Sequence, residues 1–132
     1  MGVEENRAVV RRFIENVPTG RDFSVTDEVI APDYVNLAVP GVAIADLTAM
    51  EAAMHAAVGA PRIGPLELVA EDDAVFARFD YTINLPGGGE RTSRVLAYYH
   101  LTDGKIDVND VMFTPGLDDV IGSLMGPPPT DQ

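Results

Sequence analysis

The chain has no cysteine among its 132 residues. That excludes disulfides, a thiolate nucleophile and a cysteine-ligated zinc, and it fits a reducing compartment. Basic residues are scarce too: 9 Lys and Arg stand against 21 Asp and Glu, a formal net charge of -12. A nucleic-acid binder needs a basic footprint, so this surface is expected to repel phosphates, anionic membranes and highly anionic substrates. The charge reads as a device for solubility. No stretch approaches the ~20 apolar residues of a membrane span. The opening run Met1–Arg7 is polar and lacks the apolar core of a signal peptide. Gly2 would suit myristoylation, but Asn6 and Arg7 stand where a Ser or Thr is needed. The expectation is a cytoplasmic protein with neither nucleic acid nor membrane as partner.

Several catalytic words are missing as well. There is no Gly-x-Ser-x-Gly and no Gly-x-Gly-x-x-Gly at a strand-to-helix turn. The glycine run Gly87–Gly89 joins two alternating segments instead of opening a helix, so it reads as a hairpin. The two histidines, His55 and His100, match no ligand spacing, so no metal and no cofactor are expected.

What is present is a globular composition, 46% hydrophobic and 23% charged. The length suits one domain, expected over residues 1–126, with 127–132 as a flexible tail. Glu4 to Val17 has helical spacing, with Val10, Phe13, Ile14 and Val17 on one face. Ser24, with Asp27 three residues on, predicts the cap of a short second helix that Pro32 stops. Tyr34–Leu37 reads as extended, leading to a turn at Pro40-Gly41. Asp46 predicts the cap of a third, alanine-rich helix whose buried stripe is Leu47, Met50, Met54, Ala57 and Val58. Gly59 ends it.

The period then changes to two. Strands are predicted at Leu66–Ala70, Ala74–Leu85, Thr92–Thr102 and Lys105–Thr114, with Asp103-Gly104 as a hairpin turn. Val75, Ala77, Phe79, Tyr81 and Ile83 share one face of the second of these. A last short helix is predicted over Leu117–Met125. Helices first and a meander afterwards make an α+β fold: three to four N-terminal helices packed on a strongly curved, mainly antiparallel sheet with a cavity at its open end.

The words Glu5-Asn6-Arg7-Ala8-Val9-Val10-Arg11-Arg12-Phe13, Ile30-Ala31-Pro32-Asp33-Tyr34-Val35 and Asp103-Gly104-Lys105-Ile106 carry a resemblance. Together they resemble the SnoaL-like polyketide cyclases of the nuclear-transport-factor-2-like and ketosteroid isomerase superfamily. The resemblance implies a conical α+β barrel, a homodimer through the outer sheet face and metal-free acid–base chemistry. In that chemistry a carboxylate removes a proton beside a carbonyl, a donor stabilises the enolate, and a ring closes. It also implies positions at which this chain departs: Leu37, beside Asn36, stands at a usual His, Asn109 and Asp110 stand at a His-Trp pair, and Thr114 stands at the acid–base Asp.

Strict alternation puts Asp110 on one face with Ile106, Val108 and Met112, three apolar residues, so that face is expected to be the inner one. A carboxylate there would have a raised pKa suited to proton transfer. The alternative is that Asp110 reaches the rim or bonds a backbone amide beside a bulge. Asn36 and Tyr34 should cross the cavity floor, as donors to an oxyanion or as turn and core residues. Tyr99 should point inward, and Tyr98 and His100 outward, His100 toward an interface. His55 sits at the cavity mouth or on the surface. Met50, Met54, Phe79, Tyr81 and Met112, with Thr114, could line a site for a flat polycyclic molecule or be ordinary core.

The function expected is a cofactor-independent cyclase or isomerase that moves a proton on a small hydrophobic carbonyl compound, plausibly a polyketide. Asp110 would be the acid–base group and Asn36 its helper. The alternatives are a non-catalytic ligand-binding or dimeric accessory protein, and an epoxide-hydrolase-like enzyme. Arg78 and Asp80 should face away from the cavity, which disfavours the last.

Overall fold

The computed structural model describes residues 2–37 and 43–117. The predicted turn at Pro40-Gly41, the helix after Leu117 and the tail lie outside them. Nine elements follow in order: α1 Val3–Asn16, α2 Val25–Val29, β1 Ile30–Asn36, α3 Ile44–Val58, β2 Arg62–Ile63, β3 Glu67–Glu71, β4 Ala74–Asn84, β5 Glu90–Thr102 and β6 Lys105–Thr114. Three helices pack on one six-stranded sheet of order β1-β6-β5-β4-β2, with β3 also on β4. The sheet is open, and it is mixed, because β1 runs parallel to β6 while every other pair is antiparallel.

The core forms where the period-3.6 stripe of α1 meets the period-2 face of β4 and β5. Val10, Phe13 and Ile14 press on Val75, Ala77, Phe79, Val95, Ala97 and Tyr99, all buried. Phe13 meets Tyr99 edge-on at 6.0 Å, a favoured aromatic geometry. Asn6 is buried on the same helix, and its amide donates to the Asp72 carbonyl at 3.3 Å, tying α1 to the β3–β4 turn. Asp103 and Gly104 both take left-handed φ, 51° and 75°, as a two-residue hairpin turn of this hand requires.

Some local expectations need correction. Ser24 does not cap α2 with its side chain. Instead Asp22 accepts hydrogen bonds from the Ser24 amide (3.0 Å) and hydroxyl. α3 starts before Asp46, which falls in its first turn, and of its expected stripe only Met54 is buried. Pro32 lies inside β1, where the register shifts between Ile30 and Val35. A proline is tolerated there because β1 is an edge strand.

The largest correction is in β6. His100 pairs with Val108, yet the next residue, Leu101, pairs with Ile106, so Asp107 is an extra, unpaired residue, a β-bulge. Beyond it the faces exchange. Ile106 is fully buried, and after the bulge Asn109, Val111 and Phe113 take the inner face. Asp110, Met112 and Thr114 turn outward, with Asp110 opposite Tyr98 and Met112 opposite Leu96. The inward Asp110 expected from strict alternation is therefore an outward one.

The bulge has its own hydrogen bonds. The Asp107 carboxylate accepts from the Thr102 hydroxyl at 2.6 Å and lies 2.7 Å from His100 Nδ1. Burial pushes its pKa up, but these bonds outweigh burial and hold it below the usual carboxylate value. The two sides of the bulge should respond differently to truncation. Ile106→Ala should cost about 2–5 kcal/mol in urea unfolding, and Asp110→Ala about 0.5 kcal/mol or less. Equal losses would contradict the exchange of faces.

Candidate functional site

Between α3 and the inner face of the sheet lies a cavity of about 390 Å³, within the range of small-molecule sites. Its wall is largely apolar: Phe13 from α1 and Val17 just after it, Leu47, Met50 and Met54 from α3, Phe79 and Tyr81 from β4, Val95 and Tyr99 from β5, and Val111 and Phe113 from β6. Tyr81 and Phe113 meet edge-on at 5.6 Å. Among the described residues no Lys, Arg or His lines it, and the polar side chains are Asn36, Thr48, Glu51, Asn109 and the two tyrosines.

Two asparagines stand side by side at one wall. Parallel pairing of β1 with β6 puts Asn36 opposite Asn109, and the Leu37 amide donates to the Asn109 carbonyl at 2.8 Å. Each is only 7% exposed. Asn109 Nδ2 donates to the Tyr34 hydroxyl at 2.8 Å, so Tyr34 backs the pair from behind. Asn109 Oδ1 is buried without a partner. Such an atom is costly unless something donates to it. Burial raises the Tyr34 pKa, against the bonds from Asn109 and Asn36, and the nearby Glu51 charge adds to the rise.

Glu51 supplies the other polar group. It projects from α3 into the cavity, and its Oε2 is shielded from solvent with no hydrogen-bond partner. Burial pushes its pKa up to about 8, because a dry site disfavours the charged form. At neutral pH it is mainly a carboxylic acid. Tyr81 and Tyr99 are pushed well above the usual phenol value, by burial first and by the Glu51 charge as a further cause. Glu51 therefore sits within electrostatic reach of three phenols.

Of the residues singled out in the sequence, Asn36, Met50, Met54, Phe79, Tyr81 and Tyr99 line this cavity, and Tyr34 stands behind it. Asp110, Met112 and Thr114 do not; they belong to the outer sheet face, where Met112 is 64% exposed. His55 does not line the cavity but binds the Pro18 carbonyl. Glu51 and Asn109 were not foreseen as cavity groups. A signal for Glu51 existed: it stands four residues after Leu47 and three before Met54, on the apolar stripe of α3. Asn109 had none, since only the bulge turns it inward. Among the described residues no group of three or more His, Asp or Glu could hold a metal ion, and no helix is long and apolar enough to cross a membrane.

A layer of helices over an open mixed sheet, with a largely apolar cavity between them, is an α+β architecture of the SnoaL-like and nuclear-transport-factor-2-like kind. The SnoaL-like domain family matches residues 10–108, three quarters of the sequence, and the chain belongs to that family. No curated protein resembles it closely enough to count as a match. Solved structures share the fold. AclR, a provisionally assigned hydroxylase from Streptomyces galilaeus, has 17% identity and a TM-score of 0.73 over 99% of this chain and 87% of its own. A provisionally assigned SnoaL-like polyketide cyclase from Jannaschia sp. CCS1 has 18% identity and a TM-score of 0.71 over 95% and 94%. IdmH from Streptomyces antibioticus, a provisionally assigned polyketide cyclase, has 17% identity and a TM-score of 0.70 over 92% and 98%. Identities this low speak to the fold alone.

The buried carboxyl has a consequence for stability. The folded state holds a proton on Glu51 that the unfolded chain, near the ordinary value of 4.5, releases. Stability should therefore be intact below about pH 4.5 and decline as pH rises toward about 8. The slope should approach about 1.4 kcal/mol per pH unit. Urea unfolding between pH 5 and 8 should show that decline, and Glu51→Gln should flatten it. A wild-type profile that is flat over this window would contradict a dry Glu51.

Proposed function

We propose that the protein is a cofactor-independent cyclase or isomerase that moves a proton on a small, uncharged hydrophobic carbonyl compound, plausibly a polyketide, with Glu51 as the acid–base group. The observation that carries this reading is a carboxyl, the one acidic group that lines this largely apolar cavity among the described residues, sharing its wall with the side-chain amides of Asn36 and Asn109. Its pKa near neutrality is what proton transfer in both directions requires. The ionised carboxylate takes the proton beside the substrate carbonyl, and the C–H electron pair becomes an enolate. The side-chain amides of Asn36 and Asn109 are the donors in reach of the enolate oxygen. In a cyclase the enolate carbon bonds to a second carbonyl carbon, and the new alkoxide takes the proton back from Glu51. In an isomerase the proton returns to a different carbon. Among the described residues no cation lines the wall, which disfavours an anionic substrate.

An accessory, purely ligand-binding role remains the second reading. What favours it is the outward Asp110 and the Thr114 at the family's carboxylate position. Asp110 is not carried forward as the acid–base group. The epoxide-hydrolase reading has less support, because Arg78 and Asp80 are exposed on the outer face.

A homodimer through the outer sheet face is part of the proposal, and so is a cytoplasmic location. The dimer is supported by neighbouring exposed apolar residues on β4, β5 and β6: Phe76 (52%), Leu96 (50%) and Met112 (64%). Large exposed apolar side chains in one patch mark an interaction surface. Sedimentation should give a dimer for wild type and a monomer for Leu96→Asp; a wild-type monomer would remove this element.

The functional reading is tested with a panel of flat polyketide-like and steroid-like ketones. A ligand at about 100 times its Kd should add about 2.7 kcal/mol of stability, read as a higher Tm. With the ligand class found, Glu51→Gln should keep binding and lose turnover by about 100-fold or more, while Asp110→Asn should keep both. Binding without turnover in wild type would establish the accessory role instead.

A further inference from the structure

We propose that His55 is a positioning residue: it latches the C-terminal turn of α3 to the α1–α2 connection and thereby holds Glu51 in the dry wall of the cavity. Its functional meaning rests on the reading of Glu51 given above; the latch itself stands on geometry.

His55 follows Glu51 by four residues, one turn along the same helix face. Its Nε2 lies 3.2 Å from the Pro18 carbonyl oxygen. That oxygen can only accept, so Nε2 carries the proton and donates. The ring stacks on Phe23 at 5.6 Å with 25° between planes. Gly20, at φ +73°, closes the third side. A Cβ there would stand 2.2 Å from Nδ1 and 2.3 Å from Cε1, so the imidazole fills space that only glycine leaves open.

The connection that receives the ring is itself tied to α1. The Thr19 hydroxyl donates to the Glu15 carbonyl at 2.6 Å, the Gly20 amide to the Val17 carbonyl at 3.1 Å, and the Asp22 amide to the Asn16 carbonyl at 3.1 Å. Val17 and Pro18 also line the cavity, so the latch closes at its rim. The helix has a second tie at the same end, from Asn84 Nδ2 to the Val58 carbonyl at 2.7 Å. At its other end α3 has no side-chain cap. Among the described residues, the side-chain hydrogen bonds that tie this helix to the rest of the fold thus gather one turn beyond Glu51.

A histidine that merely favoured the end of the helix would stabilise α3 without affecting water access to Glu51. A latch controls both. The titratable groups that face Glu51 from the sheet are Tyr34 on β1, Tyr81 on β4 and Tyr99 on β5, all with raised pKa. They stay uncharged through the neutral range, so a change in Glu51 titration reports its exposure to water.

The test is a carboxyl ¹³C NMR titration of glutamate-labelled protein, with the Glu51 resonance identified by its loss in Glu51→Gln. Wild type should titrate near 8, His55→Ala should titrate about one unit or more lower, and His55→Gln, whose amide can donate to Pro18, should stay close to wild type. Should His55→Ala fail to fold, His55→Phe, which keeps the aromatic stack and loses the donor, takes its place with the same expectation. Folded variants with an unshifted Glu51 would overturn the latch and leave the reading of the site standing. A wild-type Glu51 near 4.5 would sink that reading instead. The latch would then be judged by hydrogen exchange of the α3 amides in residues 52–58, expected to be about tenfold faster or more in His55→Ala, and overturned by equal rates.

Discussion

One carboxylate at a strand irregularity organises the inner surface of this protein. Asp107 is the residue that β6 has in excess over β5, and its side chain is held by Thr102 and lies against His100. Because side chains alternate with a period of two, one extra residue exchanges every face beyond it. Without the bulge, Asp110, Met112 and Thr114 would enter the cavity, and Asn109, Val111 and Phe113 would leave it. With it, the inner end of β6 offers one amide and two apolar side chains. The outer face receives Asp110 beside Tyr98 and Met112 beside Leu96, and with them the apolar patch at which a second copy is proposed to dock.

The bulge leaves the cavity without a carboxylate from the sheet, and the group that provides one comes from the opposite layer. Glu51 belongs to α3, a helix with one buried side chain, Met54, and tied to other described residues by hydrogen bonds at its C-terminal end. That arrangement sets up a tension. A carboxyl group in an apolar cavity is held near neutrality by dehydration, and dehydration depends on a lightly packed helix staying in place. The neighbouring phenols and amides cannot relieve the cost of ionisation as a cation would, and among the described residues no Lys, Arg or His lines the cavity. Proton affinity at the site is therefore a property of helix placement as much as of residue type.

The fold was legible because its signals are local and mutually consistent. The stripe of Val10, Phe13, Ile14 and Val17, the alternation from Val75 to Ile83 and the Asp103-Gly104 turn each determine one element, and their order leaves few topologies. The bounds of β6 follow from the same pattern, and the inward Tyr99 and outward His100 are as alternation requires. The site was legible only in part. Asn36, Met50, Met54, Phe79, Tyr81 and Tyr99 could be read from period and position. Asp110 was misread because strict alternation was carried through β6, whereas the extra residue Asp107, held by Thr102 and beside His100, shifts the register before Asp110 is reached. Glu51 was passed over because a glutamate in an alanine-rich helix reads as solvated, and only the cavity shows that it is not. The parallel edge pairing of β1, which joins Asn36 to Asn109, is non-local and left no mark in composition.

The central claim is that Glu51, and no other carboxylate, exchanges a proton with carbon in this cavity. It is tested most directly by NMR in D₂O, following deuterium entering the position beside the carbonyl of a bound ketone, which requires no knowledge of the final product. Wild type and Asp110→Asn should both accelerate incorporation over the protein-free rate, and Glu51→Gln should not. Undiminished incorporation in Glu51→Gln, or its loss in Asp110→Asn alone, would contradict the account.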